Sequence, residues 1–322
     1  MNSKSINEPL VSVIVMTYNQ AAMVTDTLES VKNQTYDNIE LIITDDYSTD
    51  NTLNTCREWL DIHGSRFIHT TLVTTHQNTG RPGNCNRGLA SSNGEWIKII
   101  AADDGLEPNC IQDNLEHIAA HVGIRVLFSY MKVYQDSLDS HNFIEKFPAQ
   151  PPIDFINDEI DSQQQFKMLL IQDRVGYTAS AFIHKQTIVN LGGWDSQYFL
   201  EDYPMWVKLT KAGNKLHFME KSTVKYRKHG AALTLSGVEH LINPIFIRLE
   251  KFRRENTYPY MPLHHRLDYW YKYHLSVFLR FLFNNKSSWL SRFILNFAMK
   301  WTNPLYYYRS LLRITHLFNK KH

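Results

Sequence analysis

Cysteine is scarce in this 322-residue chain, and the few present form no recognisable pattern. Cys56, Cys85 and Cys110 make no Cys-x-x-Cys step and are odd in number, which argues against a disulfide framework and a zinc knuckle and leaves ordinary reduced thiols. Long apolar runs are missing too. Even Trp289 to Trp301 is interrupted by Arg292 and Lys300, well short of the roughly 18 uncharged residues a spanning helix needs. Met1 to Pro9 has no apolar core or small-residue cleavage site, and Val11 to Met16 is too short for a signal peptide, so the expected location is the cytosol. There is no internal repeat and no low-complexity tract.

Net charge is also small, at +2, but it is unevenly placed. After residue 240 there are fourteen Lys and Arg against three Asp and Glu, which leaves the preceding residues acidic. The two parts are expected to meet different partners.

What is present is a repeating strand and helix pattern. Val11 to Met16 is a β-branched run bounded by Pro9 and the polar Thr17-Tyr-Asn-Gln20, as a buried strand would be. Residues 21–33 follow with Val24, Leu28 and Val31 on one helical face. Ile39 to Thr44 and Phe67 to Val73 read as strands around a helix over Asp50 to Asp61. Glu95 to Ala101 is a further buried strand, ending in Asp103-Asp104-Gly105, with Pro108 opening the next helix. This alternation predicts an α/β fold with a mostly parallel sheet flanked by helices. From Asp136 to Gln165 the chain turns polar and reads as a loop or insertion. Thr178 to His184 reads as a strand, and Tyr203 to Ala212 as a helix closed by Gly213. Residues 1–237 are therefore expected to form a catalytic domain, with a nucleotide-binding half at about 10–105 and an acceptor half at about 106–237. Residues 238–322 are expected to form a helical, basic and aromatic C-terminal region.

Asp45-Asp46 and Asp103-Asp104 both fall at the carboxyl ends of predicted strands, the edge at which open α/β sheets bind ligands, with Thr17 closing the first strand there. Either pair alone would serve equally well in a turn or helix cap; the shared edge argues for a site. Carboxylates suit sugar hydroxyls directly. They face a phosphate only through a divalent cation.

These residues carry a resemblance. Val11-Ser-Val-Ile-Val-Met-Thr-Tyr-Asn19, Ile42-Ile-Thr-Asp-Asp-Tyr-Ser-Thr-Asp-Asn-Thr52, Asn78-Thr-Gly80, Asn86-Arg-Gly-Leu-Ala90, Gly94-Glu-Trp96, Asp103-Asp104, Gly192-Gly-Trp-Asp195, Glu201-Asp202 and Tyr226-Arg-Lys-His229 stand in the order and spacing of glycosyltransferase family 2. The chain resembles that family over about residues 10–235. The resemblance implies a GT-A fold and an inverting transferase of hexosyl or N-acetylhexosaminyl type, using a nucleotide-sugar donor, commonly UDP-linked, with Mg²⁺ or Mn²⁺. It places Thr17 and Asp46, with Tyr18 and Asn19 beside them, at the uridine, Arg81 at the base or phosphate, and Asp103 at the ribose. It makes Asp104 the metal ligand, with His229 helping at the metal or diphosphate, and Asp202 the general base. Trp194, Asp195 and Glu201 would border the acceptor. Two positions depart from the pattern: Tyr47 stands where the family commonly has Gly, and Ala101 where many members have a further acid.

The implied chemistry is a single displacement in which a carboxylate takes the acceptor hydroxyl's proton as the new bond forms. Helix capping competes for Asp202, supported by Pro204 just downstream, and a basic surface role competes for His229 among Lys225, Arg227 and Lys228. The tail places Trp270, Phe278, Phe281, Trp289, Phe293 and Phe297 among repeated cations, a composition that docks on an anionic membrane surface or packs as a helical subdomain. No nucleic-acid motif accompanies it. The family and the tail together point to cell-envelope polysaccharide synthesis, such as O-antigen, capsule or lipopolysaccharide, on a saccharide or lipid-linked acceptor at the inner membrane face; an oligomer is possible. The alternative is a non-catalytic nucleotide-sugar-binding or scaffold protein, which Ala101 favours and Glu201-Asp202 opposes. A nucleotidyltransferase would begin with a Gly-rich loop, and Met16-Thr-Tyr-Asn19 has none.

Overall fold

The computed structural model describes residues 8–230 and 240–301. The chain divides into two compact units, residues 1–235 and 236–322.

The first unit runs β1 (Val11–Thr17), α1 (Val24–Lys32), β2 (Ile39–Asp45), α2 (Thr52–His63), β3 (Thr70–Val73), α3 (Gly80–Ser91), β4 (Trp96–Ala101), β5 (Gly105–Leu106), α4 (Cys110–Ala120), β6 (Val126–Gln135) and β7 (Phe143–Phe147). It continues with α5 (Ser162–Ile171), β8 (Phe182–His184), α6 (Lys185–Asn190), α7 (Asp202–Lys211) and β9 (His217–Lys228). Among the described residues one nine-stranded sheet has the order β3-β2-β1-β4-β8-β6-β9-β5, with β7 on β6.

The first four strands in that order are parallel, as the alternating pattern predicts. β1 and β2 are apolar on both faces because helices cover both sides. Val11, Val13 and Val15 join the core with Val24, Leu28 and Val31 of α1 and Trp59 of α2. On the opposite face Ile14 meets α3 so closely that a methyl added at Gly88 would lie 2.4 Å from its Cγ2. Overpacking of that kind typically costs about 1–3 kcal/mol, which accounts for the glycine.

Beyond β4 the sheet is mixed. β8 runs antiparallel between β4 and β6, β9 runs parallel to β6, and β5 pairs antiparallel with β9. Register decides the site. Thr17 pairs with Asp45 and Met16 with Ala101, so the carboxyl ends of β1, β2 and β4 stand level, and both Asp pairs emerge on one edge.

The second unit contains α8 (Pro244–Arg248), α9 (Glu250–Asn256), α10 (Leu263–Leu282) and α11 (Trp289–Trp301). Leu241, Ile242 and Leu279 form its small core, with Leu275, Phe283, Ile294 and Leu295 packed on it. No described helix is long and apolar enough to cross a membrane. Residues 302–322 of the predicted tail lie outside the described residues.

Candidate active site

The loops after β1 and β2 clasp each other. Asn19, at φ +53°, donates its N–H to Ser48 Oγ and accepts from the Thr49 N–H at 2.8 Å, while the Gln20 N–H reaches Thr52 Oγ1. Asn tolerates this left-handed backbone better than most residues. Tyr47 adopts φ +71°, the conformation Gly takes without strain, so the chain keeps the turn while carrying a ring there. Asp45 holds that turn by accepting from the Thr17, Ser48 and Thr74 hydroxyls and the Ser48 N–H.

Asp46 is fully engaged as well. Its oxygens accept from the Thr79 N–H and hydroxyl and the Gly80 N–H, and one lies 3.2 Å from Arg87 Nη2. These contacts use the roughly four acceptor sites of a carboxylate. Thr17 and Asp46, expected at the uridine, are both buried and brace the edge from within. The groups that face outward there are the rings of Tyr18 and Tyr47, 46% and 48% exposed.

By capping the start of α3, Asp46 also places Arg81. That side chain does not point at the Asp46 carboxylate. Its Nη1 lies 3.6 Å from Glu201 Oε1. Glu201 is only 5% exposed, and its Oε2 has no hydrogen-bond partner among the described residues. Glu201 first, then Asp202 and Asp103, stabilise the Arg81 cation, so the charges of both acidic clusters act on one guanidinium.

Within the Asp103-Asp104 pair the two carboxylates have different surroundings. Asp104 is buried, its Oδ1 accepting the Arg227 N–H of β9 at 2.9 Å and its carbonyl accepting the Thr27 hydroxyl. Burial, and next the charge of Asp103, push the Asp104 carboxyl well above the usual carboxylate range. Asp103, expected at the ribose, instead lies 3.1 Å through Oδ2 from His229 Nε2. Of the two groups the carboxylate suits Mg²⁺ or Mn²⁺, and the imidazole suits a transition metal better than Mg²⁺. No group of three His, Cys, Asp or Glu side chains able to hold a metal occurs among the described residues. A cation held by the pair would take its remaining ligands from phosphate oxygens and water, the usual arrangement for Mg²⁺.

Asp202 opens α7. One oxygen accepts the N–H of the next residue, Tyr203, at 2.7 Å, while the N-cap of α7 is Glu201, with no side-chain capping bond. The Tyr203 contact does not use the whole Asp202 carboxylate, which also lines a cavity of about 420 Å³ with Asp173, Arg174 and Tyr177. Burial, then the charges of Glu201 and Asp173, push the Asp202 carboxyl up to about 8, against the pull of the Tyr203 N–H and Arg81.

The Gly192-Gly-Trp-Asp195 motif is structural. Asn86 of α3 clamps the backbone of Trp194, accepting its N–H at 2.8 Å and donating to its carbonyl at 2.7 Å. Gly193, at φ +75°, passes so close that a Cβ would sit 2.4 Å from Asn86 Oδ1. Trp194 is buried in the core, and exposed Asp195 turns toward Gln197, so neither walls the cavity beside Asp202.

A family model described as Glycosyl transferase family 2 matches residues 12–183. The chain belongs to glycosyl transferase family 2. An uncharacterized glycosyltransferase of Haemophilus influenzae is 26% identical over 79% of this chain and 75% of its own length. An Escherichia coli protein described as UDP-Glc:alpha-D-GlcNAc-diphosphoundecaprenol beta-1,3-glucosyltransferase WfaP is 26% identical over 72% of this chain and 83% of its own. The crystal structure of S. aureus TarS 1-349 in complex with UDP-GlcNAc aligns with TM-score 0.56 at 17% identity, covering 82% of this chain and 71% of that one. The family reading made from the ordered motifs holds, and the architecture is the GT-A fold with a helical C-terminal region.

Proposed function

We propose that this family 2 glycosyltransferase moves a sugar from a UDP-linked donor to a hydroxyl of a lipid-linked saccharide in cell-envelope glycan synthesis, inverting the anomeric carbon. The carrying observation is the convergence of charge on Arg81, from a cavity-lining carboxylate raised to about 8 and from Asp103 of the Asp103–His229 pair. The relative named for a UDP-glucose donor and a diphosphoundecaprenol-linked acceptor supports the substrate classes.

The nucleotide lies along the edge braced by Asp45, Asp46 and Arg87, its base against the exposed Tyr18 and Tyr47 rings. Asp103 and His229 would hold a divalent cation beside the diphosphate; when bound, the cation stabilises the charge that develops on the leaving group. Asp202 accepts the proton of the attacking hydroxyl as the carbon–oxygen bond forms. A carboxylate near 8 matches a neutral operating pH better than an ordinary one. The Arg81 cation meanwhile keeps Glu201, Asp202 and Asp103 from repelling one another.

The test incubates the full chain with a panel of UDP-, GDP- and TDP-sugars, with Mn²⁺ or with chelator, and measures released nucleotide. Release from at least one UDP-sugar, suppressed by chelator, is expected. No release from any donor would remove the reading.

The second unit supports a membrane-surface location. Its core covers one stripe of α10 and α11, while Phe281 and Trp289 are 87% and 80% exposed and Phe278, Phe293 and Phe297 are also exposed. Exposed Arg280, Lys286, Arg292 and Lys300 stand among them. Rings with interspersed cations fit an anionic headgroup layer. The full chain is expected to co-sediment with vesicles containing anionic lipid at low salt. Trp289→Ser with Phe293→Ser should weaken partitioning by about tenfold or more, since a fully buried ring contributes roughly 1.5–3 kcal/mol. Indifference to such vesicles would end the docking idea.

A further inference from the structure

The cavity beside Asp202 is built by segments that none of the family motifs includes. Phe147 comes from the end of β7, and Asp173, Arg174, Gly176 and Tyr177 from the loop after α5. The Phe147 and Tyr177 rings lie 5.5 Å apart at 57°, and Tyr177 stacks on Tyr226 of β9 at 4.9 Å and 22°. A continuous aromatic wall thus runs from the cavity to β9, the strand that ends at Lys228 just before His229.

That wall is held in place. Gly176, at φ +86°, lets the backbone pass where a Cβ would lie 2.9 Å from Phe147 Cε1. Asp173 accepts the Val175 N–H at 3.1 Å and so shapes the turn. Just past Tyr177 the chain is tethered by Lys98, a fully buried lysine of β4 whose ammonium donates to the Ala179 carbonyl at 2.6 Å. At the outer side Arg174 pairs with Asp154 at 2.6 Å.

We infer that this cavity is the acceptor subsite and that it receives a pyranose ring, laid with its C–H face on the Phe147–Tyr177 wall and one hydroxyl turned to Asp202. The assignment rests on the reading of Asp202 as general base, because the group that gives up its proton must occupy the space that base faces. The wall supplies the chemical class. The Phe147 and Tyr177 rings meet the apolar side of a sugar ring, and the polar remainder of the lining, Asp154, Gln172, Asp173, Arg174 and Asp202, meets its hydroxyls. At about 420 Å³ the volume falls within the roughly 300–1,000 Å³ of small-ligand sites. Tyr177 is thereby a specificity-determining residue, with its ring as the binding element.

The experiment uses the full chain with whichever nucleotide sugar it cleaves and a panel of octyl glycopyranosides of glucose, galactose, mannose and N-acetylglucosamine. Steady-state KM is measured for donor and glycoside in the unsubstituted protein and in Tyr177→Ala, Tyr177→Phe and Arg174→Ala. Tyr177→Ala should raise the glycoside KM at least tenfold with the donor KM held within about twofold, and Tyr177→Phe, which keeps the ring, should restore it. Arg174→Ala, at the exposed rim, controls for folding and should raise the glycoside KM less than Tyr177→Ala. A rise in donor KM instead would place the donor sugar in the cavity and overturn the assignment. So would an unchanged glycoside KM in Tyr177→Ala, or nucleotide release that no glycoside of the panel stimulates. Failure to cleave any donor counts against the proposed function itself and is read separately.

Discussion

Asp202→Asn should lower kcat/KM by about 10²–10⁴-fold, the usual contribution of a positioned general base, while the chain remains folded. Asn keeps the oxygen that accepts the Tyr203 N–H, so the start of α7 survives and only proton acceptance is lost. The pH dependence separates this from a structural effect. A base titrating near 8 is mostly protonated at pH 6, and its active form increases about tenfold per pH unit up to that value. kcat/KM of the unsubstituted protein should therefore climb with unit slope from about pH 6 and level above about pH 8. The variant should lack that limb. The sign for stability is opposite to the usual carboxylate case. The folded state binds this proton more tightly than the unfolded chain between the ordinary 3.8 and about 8, so this group's contribution to stability falls as pH rises through that window. A kcat/KM profile that is flat from pH 6 to 9, or turnover left intact in Asp202→Asn, would remove the carboxylate from the mechanism.

Asp103→Asn should lower kcat by about 10²–10³-fold at saturating donor, the loss typical of removing one electrostatic stabiliser of a developing anion. It should also raise the Mn²⁺ concentration giving half-maximal activity. His229→Ala should move that concentration in the same direction, since the two side chains stand 3.1 Å apart and would share the ion. Asp104→Asn is the discriminating control. An amide oxygen still accepts the Arg227 N–H, so that variant should keep its metal requirement nearly unchanged. Mn²⁺ titration of turnover and Mn²⁺ binding in the presence of UDP would both report it. If Asp104→Asn shifts the metal dependence as far as Asp103→Asn, the Asp103–His229 pairing is not the cation site.

Much of the nucleotide half was legible because its signals are local. Val11 to Met16 reads as a strand buried on both faces from β-branching alone, and Val24, Leu28 and Val31 fall on one helical face without any knowledge of the neighbours. Alternation of such segments implies parallel pairing, and parallel pairing in register brings Asp45-Asp46 and Asp103-Asp104 to one edge. The second half resisted the same reading. β8 runs antiparallel between β4 and β6, and β9 returns parallel to β6, pairings that no local pattern announces. The motif around Asn86 and Arg87 was visible. Its work, clamping Trp194 and pairing with Asp46, was not.

The sequence by itself determined the family, the strand edge that forms the site and the short list of acids able to serve there, because residue type, spacing and order are preserved in the chain. Only the tertiary structure decided which acid faces outward. Asp46 is turned to Thr79, Gly80 and Arg87, and Asp104 to the Arg227 N–H, which leaves Asp103 with His229 and Asp202 with the cavity. Adjacent carboxylates look alike in a sequence. What separates them is the set of partners that packing supplies to each, and those partners come from residues up to 126 positions away.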